Sequence, residues 1–102
     1  MTTSATSDSA EEPLRESRFR IHGSVQGVGF RWWTRYQALR LNLSGSVRNT
    51  ANGTVEVRAR GREVDVEALA ELLKEGAPGA RVTRVEVAPD DGVPRNSFEI
   101  AP

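Results

Sequence analysis

The chain has 102 residues with 14 basic and 14 acidic side chains, so it is long enough for one small domain and carries no net charge. The balanced charge gives no indication of nucleic acid or an anionic membrane as a partner. The chain has no cysteine and one histidine, His22, which excludes disulfides, thiol catalysis, thiolate metal sites and a cluster of histidine ligands. We therefore expect a protein that uses no metal and no other cofactor.

Residues 1–17 are rich in Ser, Thr and acidic side chains and contain almost no large apolar ones. Such a segment buries too little surface to offset its ordering entropy, which predicts a disordered tail followed by one domain over residues 18–102. The tail has neither the basic start nor the apolar run of a secretory signal, and no segment approaches the roughly 20 apolar residues of a membrane span. We expect a cytoplasmic protein.

The first predicted elements are a strand over residues 18–23 and a helix over residues 32–43. The strand alternates polar and apolar side chains, with His22 on its solvent face. The helix has apolar side chains at helical spacing, which predicts that its aromatic residues belong to the core and its edge. This predicted buried stripe consists of Trp32, Tyr36, Leu39 and Leu43. Asn42 falls where the helix should end, because Asn tolerates the left-handed conformation found there.

A hairpin and a second helix follow. Strands are predicted over residues 46–49 and 54–60, because the Asn-Gly pair between them favours a tight hairpin turn. Asp65 is the predicted N-cap of the second helix, with Val64 and Leu69 forming a hydrophobic staple. Its predicted buried stripe is Val66, Leu69, Leu72 and Leu73, and the Gly-Ala-Pro-Gly segment at 76–79 ends it.

The last third of the chain predicts two more strands. Residues 81–88 alternate with Val82, Val85 and Val87 as the apolar members, although the alternation breaks at Thr83. A turn-rich linker at 89–94 leads to a short strand over residues 97–101.

The resulting order is βαββαβ with a short extra C-terminal strand. Right-handed connections place both helices on one face of an antiparallel sheet, which is the ferredoxin-like α+β sandwich. The other face of the sheet should be open and carry Arg18 and Arg20.

The segment between the first strand and the first helix is the strongest functional signal. Residues 23–31 are Gly-Ser-Val-Gln-Gly-Val-Gly-Phe-Arg. Glycines allow main-chain N–H groups to converge on an anion, and the N-terminus of the following helix adds positive potential. Arg31 adds a permanently charged fork suited to phosphate oxygens. The loop lacks the Gly-Lys-Ser/Thr ending of a P-loop and the glycine spacing of a dinucleotide fingerprint. It therefore predicts a phosphate site of another kind.

Asn49, at the end of the first hairpin strand, is either a turn former or a group that orients a water molecule. The residues themselves leave two functions open, namely an enzyme and a non-catalytic ferredoxin-like module that binds a phosphorylated small molecule. RNA-recognition domains share the βαββαβ order but need exposed aromatic side chains on their central strands, and the strands predicted here lack them.

Two segments of the chain resemble the two signature segments of acylphosphatases. These are Ile21-x-Gly23-x-Val25-Gln26-Gly27-Val28-Gly29-Phe30-Arg31 and Gly45-Ser46-Val47-Arg48-Asn49-x-x-x-Gly53-x-Val55. With the segments at 76–82 and 98–100, the resemblance covers residues 18–101. Two positions depart from the family pattern: Ser46 replaces the aromatic residue usual after Gly45, and Asn42 replaces a usual Gly.

This resemblance implies the ferredoxin-like fold and metal-independent hydrolysis of the carboxyl–phosphate bond of a small-molecule acyl phosphate, with inorganic phosphate as product and inhibitor. It implies that Arg31 binds phosphate and that Asn49 positions the attacking water. The implied phosphate-binding loop consists of Gln26, Gly27, Val28, Gly29, Phe30 and Arg31. We expect a monomer that binds neither nucleic acid nor membranes.

Overall fold

The computed structural model describes residues 13–102. In chain order its elements are β1 (Leu14–Ser24), α1 (Phe30–Arg40), β2 (Ser44–Asn49), β3 (Val55–Arg62), α2 (Glu63–Glu75), β4 (Arg81–Pro89) and β5 (Phe98–Ile100). The predicted βαββαβ order with a short final strand is confirmed.

The strands form one sheet in the order β4-β1-β3-β2-β5. The first four are antiparallel neighbours, but β5 runs parallel to β2, with Gly45 opposite Phe98 and Val47 opposite Ile100. The predicted antiparallel sheet is confirmed for the four strands of the βαββαβ core, and the short extra strand, whose direction was not predicted, is parallel. Residues 90–97 carry the chain from the β4 edge to the opposite edge, so β5 adds beside β2 in the same direction.

The strand β1 begins at Leu14, earlier than the sequence predicts. Its first residues pair with β3, from Leu14 opposite Arg62 to Ser17 opposite Ala59. Assigning 14–17 to a disordered tail is wrong, because main-chain hydrogen bonds to a neighbouring strand order polar residues that bury little apolar surface. The rest of the predicted tail, residues 1–12, lies outside the described residues.

The helix α1 starts and ends earlier than predicted and buries a different face. Its buried residues are Phe30, Thr34 and Ala38, whereas Trp32 is 66% and Tyr36 is 62% exposed. The predicted aromatic stripe is wrong because Phe30 supplies the large core side chain, and the small Thr34 and Ala38 then let the helix lie close to the sheet.

The left-handed conformation predicted for Asn42 after α1 is confirmed. Asn42 has φ 59°, in the left-handed region that ends many helices. The Leu43 N–H bonds the Ala38 carbonyl at 2.9 Å, and the Asn42 N–H bonds the Leu39 carbonyl at 3.1 Å. This is the Schellman arrangement, and it turns Leu43 into the core, where it is 4% exposed.

The helix α2 keeps its predicted core face but not its predicted cap. Val66, Leu69 and Leu73 are buried, while Leu72 is half-buried. Asp65 lies inside the first turn, where its Oδ2 accepts a hydrogen bond from Arg62 Nε at 2.8 Å. Val64 is 62% exposed, so no hydrophobic staple forms. The extended backbone at Arg62 continues β3 directly into the helix and leaves no loop for a cap.

The break in alternation at Thr83 is a β-bulge. His22 pairs with Arg84 and Gly23 pairs with Val82, so Thr83 is the extra residue. Val87, one of the apolar members of this alternation, is 60% exposed on the edge strand β4. Arg18 and Arg20 are exposed on the open face of the sheet, as predicted.

An ion pair fixes the linker after β4 to the sheet. Arg58 donates to the Asp90 carboxylate from Nε at 2.7 Å and from Nη2 at 3.1 Å, and the Asp90 side chain is 7% exposed. The hydrogen bond from Arg58 lowers the pKa of Asp90 to about 2. The pair should thus stabilise the fold fully above the ordinary carboxyl pKa and lose this effect as the pH falls from about 4 to 2.

We expect Asp90→Asn to lower the free energy of unfolding by about 1–2 kcal/mol at pH 7 and by progressively less as the pH falls towards 2. Urea unfolding followed by circular dichroism at both pH values measures this, with Asp91→Asn at the exposed neighbouring position as the control. A loss that is the same at both pH values would show that the Asp90 charge is not what stabilises the linker.

Candidate active site

The loop between β1 and α1 has the alternating backbone conformation of an anion-binding loop. Gly27 has φ 80° and Gly29 has φ 75°, while Val28 between them has a negative φ. A cradle for anions is made when the sign of φ alternates along the chain in this way. No described residue accepts a hydrogen bond from the main-chain N–H groups of residues 26–31. The loop thus presents a set of N–H donors that the protein itself does not use.

The N-terminus of α1 adjoins these donors. Gly29 is its N-cap, so no side chain caps the helix, and its first turn contains no acidic residue. No described residue of the cap or first turn therefore neutralises the positive end of the helix dipole. The Phe30 ring is 1% exposed and contacts Trp33, with ring centroids 5.4 Å apart. This packing holds the helix start in place beside the loop.

Arg31 and Asn49 meet across a small cavity of about 120 Å³. Arg31 comes from the first turn of α1 and Asn49 from the last residue of β2, and both side chains are half-buried. Neither makes a hydrogen bond or ion pair with another described residue. The other residues lining this cavity are Val25, Gly27, Gly29, Phe30 and Trp32. None of the described residues that line the cavity carries a carboxylate, so the cavity suits an anion.

The predicted loop residues divide into two groups in space. Gly27, Gly29 and Phe30 line the cavity with Arg31, whereas Val28 is 39% exposed and is not part of the lining. The Gln26 side chain is directed to the hairpin: its amide donates to the Thr50 carbonyl at 3.0 Å and to the Thr54 carbonyl at 2.8 Å. These two carbonyls lie in the turn that follows Asn49.

The Gln26 side chain therefore connects the loop to the hairpin that carries Asn49. The sequence prediction missed this role because it considered only the main chain of Gln26. A large polar side chain within a glycine-rich loop was the available signal. Its two acceptors come from residues more than twenty positions away, and only the folded chain brings them near.

For the acyl phosphate hydrolysis that the sequence resemblance implies, we expect Gln26→Ala to lower kcat/KM and to weaken inhibition by phosphate, each by about 10-fold, since two half-buried hydrogen bonds are lost. Gln26→Glu should lower activity and phosphate inhibition similarly, because a carboxylate has no hydrogen to donate and would repel the two carbonyl oxygens. Steady-state kinetics measures both effects. Gln37→Ala, on the surface of α1, is the matched control, and equal losses in the control would exclude an anchoring role for Gln26.

His22 lies outside the cavity. Its Nε2 is 2.9 Å from Glu86 Oε1 on the open face of the sheet, and this hydrogen bond lowers the pKa of Glu86. Among residues 13–102 no three His, Cys, Asp or Glu side chains lie close enough together to hold a metal ion. In the same part of the chain, no helix is long and apolar enough to cross a membrane.

Comparison with known proteins adds independent information. The acylphosphatase family model matches residues 17–100. An acylphosphatase of Nocardia farcinica is 49% identical over 78 residues, which is 76% of this chain and 77% of that protein. An acylphosphatase of Rhizobium etli is 48% identical over 81 residues, covering 78% of this chain and 86% of that one.

Solved structures agree with the sequence relatives. The structure of an acylphosphatase from Coxiella burnetii superposes with a TM-score of 0.83 at 33% identity, covering 89% of this chain and 96% of that chain. The match thus extends over most of this chain and nearly all of that one. The chain belongs to the acylphosphatase family.

Proposed function

We propose that the chain hydrolyses the carboxyl–phosphate bond of acyl phosphates without a metal ion. In this proposal the main-chain N–H groups of residues 26–31 and the Arg31 guanidinium hold the phosphate, and Asn49 orients the attacking water. The observation that carries the proposal is one cavity that combines unused N–H donors, an arginine without a partner among the described residues, and a free amide.

The donors match the charge of the reacting group. Negative charge on the non-bridging oxygens must be stabilised as the phosphoryl group moves from the acyl oxygen to water. Fixed N–H groups, a helix N-terminus and a guanidinium do this without reorganising during the reaction. The absence of a carboxylate from the cavity lining removes a source of repulsion.

Asn49 acts on the nucleophile in this mechanism. Its amide holds a water in line with the bond to be broken, which is an orientation effect. The water oxygen bonds to phosphorus, the bond from phosphorus to the acyl oxygen breaks, and the carboxylate leaves with the electron pair. An amide is not a base near neutral pH, so the proton of the water passes to a phosphate oxygen. A carboxylate leaves without protonation, so the site needs no general acid.

The proposal includes a small, soluble acyl phosphate as substrate and inorganic phosphate as product and inhibitor. We also propose that the chain acts as a monomer in the cytoplasm, because the cavity is completed by residues of one chain. Sedimentation equilibrium at assay concentrations tests the monomer directly.

The test of this function is hydrolysis of benzoyl phosphate by the purified chain in excess EDTA. We expect turnover with competitive inhibition by inorganic phosphate. Phosphate binding without turnover would instead support a non-catalytic module that binds a phosphorylated small molecule. Activity that EDTA abolishes would contradict the metal-independent mechanism.

A further inference from the structure

Trp32 is an exposed indole at the edge of the cavity that Arg31 and Asn49 line, which we call the phosphate cavity. It follows Arg31 directly, it is 66% exposed, and it lines the cavity that Arg31 and Asn49 share. Trp32 makes no hydrogen bond with another described residue. An aromatic surface of this size beside a polar site exposes apolar area that a bound ligand can cover.

Trp32 also borders a second, open groove between α1 and β5, with a volume of about 490 Å³. The other lining residues are Arg35, Ser97, Phe98, Glu99 and Ile100. Trp32 belongs to the lining of both cavities, so the indole lies between the phosphate cavity and the groove. In the proposal below, a molecule held by its phosphate at Arg31 extends across the indole towards this groove.

The charged groups of the groove already have protein partners. Arg35 Nε donates to the Phe98 carbonyl at 2.9 Å, and the Glu99 carboxylate accepts a hydrogen bond from Ser97 Oγ at 2.8 Å. One positive and one negative side chain also leave the groove without net charge. A charged acyl group therefore gains little there, whereas an uncharged planar group gains contact with the indole and with Ile100, which is half-buried.

We propose that Trp32 and the α1–β5 groove form the subsite for the acyl group and that they favour uncharged aromatic or bulky acyl phosphates over acetyl phosphate. This inference rests on the proposed hydrolysis of acyl phosphates. Trp32 contacts the leaving group and so sets substrate preference, whereas Arg31 and Asn49 act on the phosphate and the water. In-line attack requires the acyl group to depart away from the water. The proposal therefore places the acyl group beside Trp32, which belongs to α1, and the water beside Asn49, which belongs to β2.

The test compares benzoyl phosphate with acetyl phosphate for the wild type and for Trp32→Ala, Trp32→Phe and Trp32→Leu. We expect Trp32→Ala to raise KM for benzoyl phosphate by about two- to ten-fold, the range expected for loss of one aromatic contact. The KM for acetyl phosphate and the inhibition constant of inorganic phosphate should stay near their wild-type values. Trp32→Phe should restore most of the preference for benzoyl phosphate, and Trp32→Leu should restore less of it.

Tyr36→Ala is the matched control, because Tyr36 is 62% exposed one turn along the same helix and lines neither cavity. Equal changes in KM for both substrates in Trp32→Ala, or the same change in KM from Tyr36→Ala, would contradict the proposed subsite. If Trp32→Ala does not fold, an unchanged KM for benzoyl phosphate in Trp32→Leu would overturn it as well. A wild type that hydrolyses neither substrate would instead contradict the proposed function itself.

Discussion

Arg31→Ala is expected to lower kcat/KM for benzoyl phosphate by about 10³-fold or more and to remove inhibition by inorganic phosphate. Arg31 is the only positively charged side chain lining the phosphate cavity, and no other described residue pairs with it. We propose that its guanidinium binds the phosphate in the ground state and stabilises the charge of the transition state. Both KM and kcat should change, which steady-state kinetics with phosphate as inhibitor will measure.

Two further variants separate the role of Arg31 from a general effect on the helix. Arg40 lies in the last turn of α1, where its Nη2 donates a hydrogen bond to Gln37 Oε1 at 2.6 Å. The Arg40→Ala variant should keep activity near the wild-type level. Arg31→Lys keeps the charge but loses the planar fork, so its activity should lie between the wild type and the alanine variant. Substantial turnover with intact phosphate inhibition in Arg31→Ala would contradict the proposed site.

Asn49→Ala is expected to lower kcat by about 10²-fold while the inhibition constant of inorganic phosphate stays near its wild-type value. The amide is proposed to hold the water and not the phosphate, so binding should survive while the chemical step fails. Measuring kcat with benzoyl phosphate and, separately, the affinity for phosphate distinguishes the two effects.

Matched variants sharpen this second prediction. Asn96→Ala removes an exposed amide on the linker before β5 and should have no effect on kcat. Asn49→Asp places a carboxylate beside the bound phosphate, so it should weaken phosphate binding as well as slow turnover. Robust activity in Asn49→Ala would contradict this role and would assign the positioning of the water to another group.

The accuracy of the sequence predictions differs between the turns and the helix faces. Asn42 and the glycine that ends α2 were predicted correctly, because left-handed backbone conformations restrict the residue type strongly. The buried face of α1 was predicted incorrectly, since Trp32 and Tyr36 are as apolar as a core residue should be. Which face is buried depends on how near the helix lies to the sheet, and Thr34 and Ala38 permit that approach only in the assembled fold.

The same division applies to the site. The loop glycines and Arg31 were identifiable from local chemistry, and Asn49 from its spacing in the family pattern. The two hydrogen bonds of Gln26 could not be identified from the sequence, because their acceptors lie in the β2–β3 hairpin, more than twenty residues later in the chain. Nor could the groove beside Trp32, which is formed with a strand more than sixty residues later in the chain.

The sequence by itself determined the order of helices and strands, the backbone conformation of the phosphate loop and the identity of the charged group beside it. These depend on interactions among neighbouring residues, such as the left-handed preference of glycine and the alternation within a strand. Only the tertiary structure decided that β5 runs parallel to β2, that Gln26 anchors the loop to the hairpin and that Trp32 faces solvent at the cavity edge. Those features depend on contacts between distant segments, which local patterns of residue type do not encode.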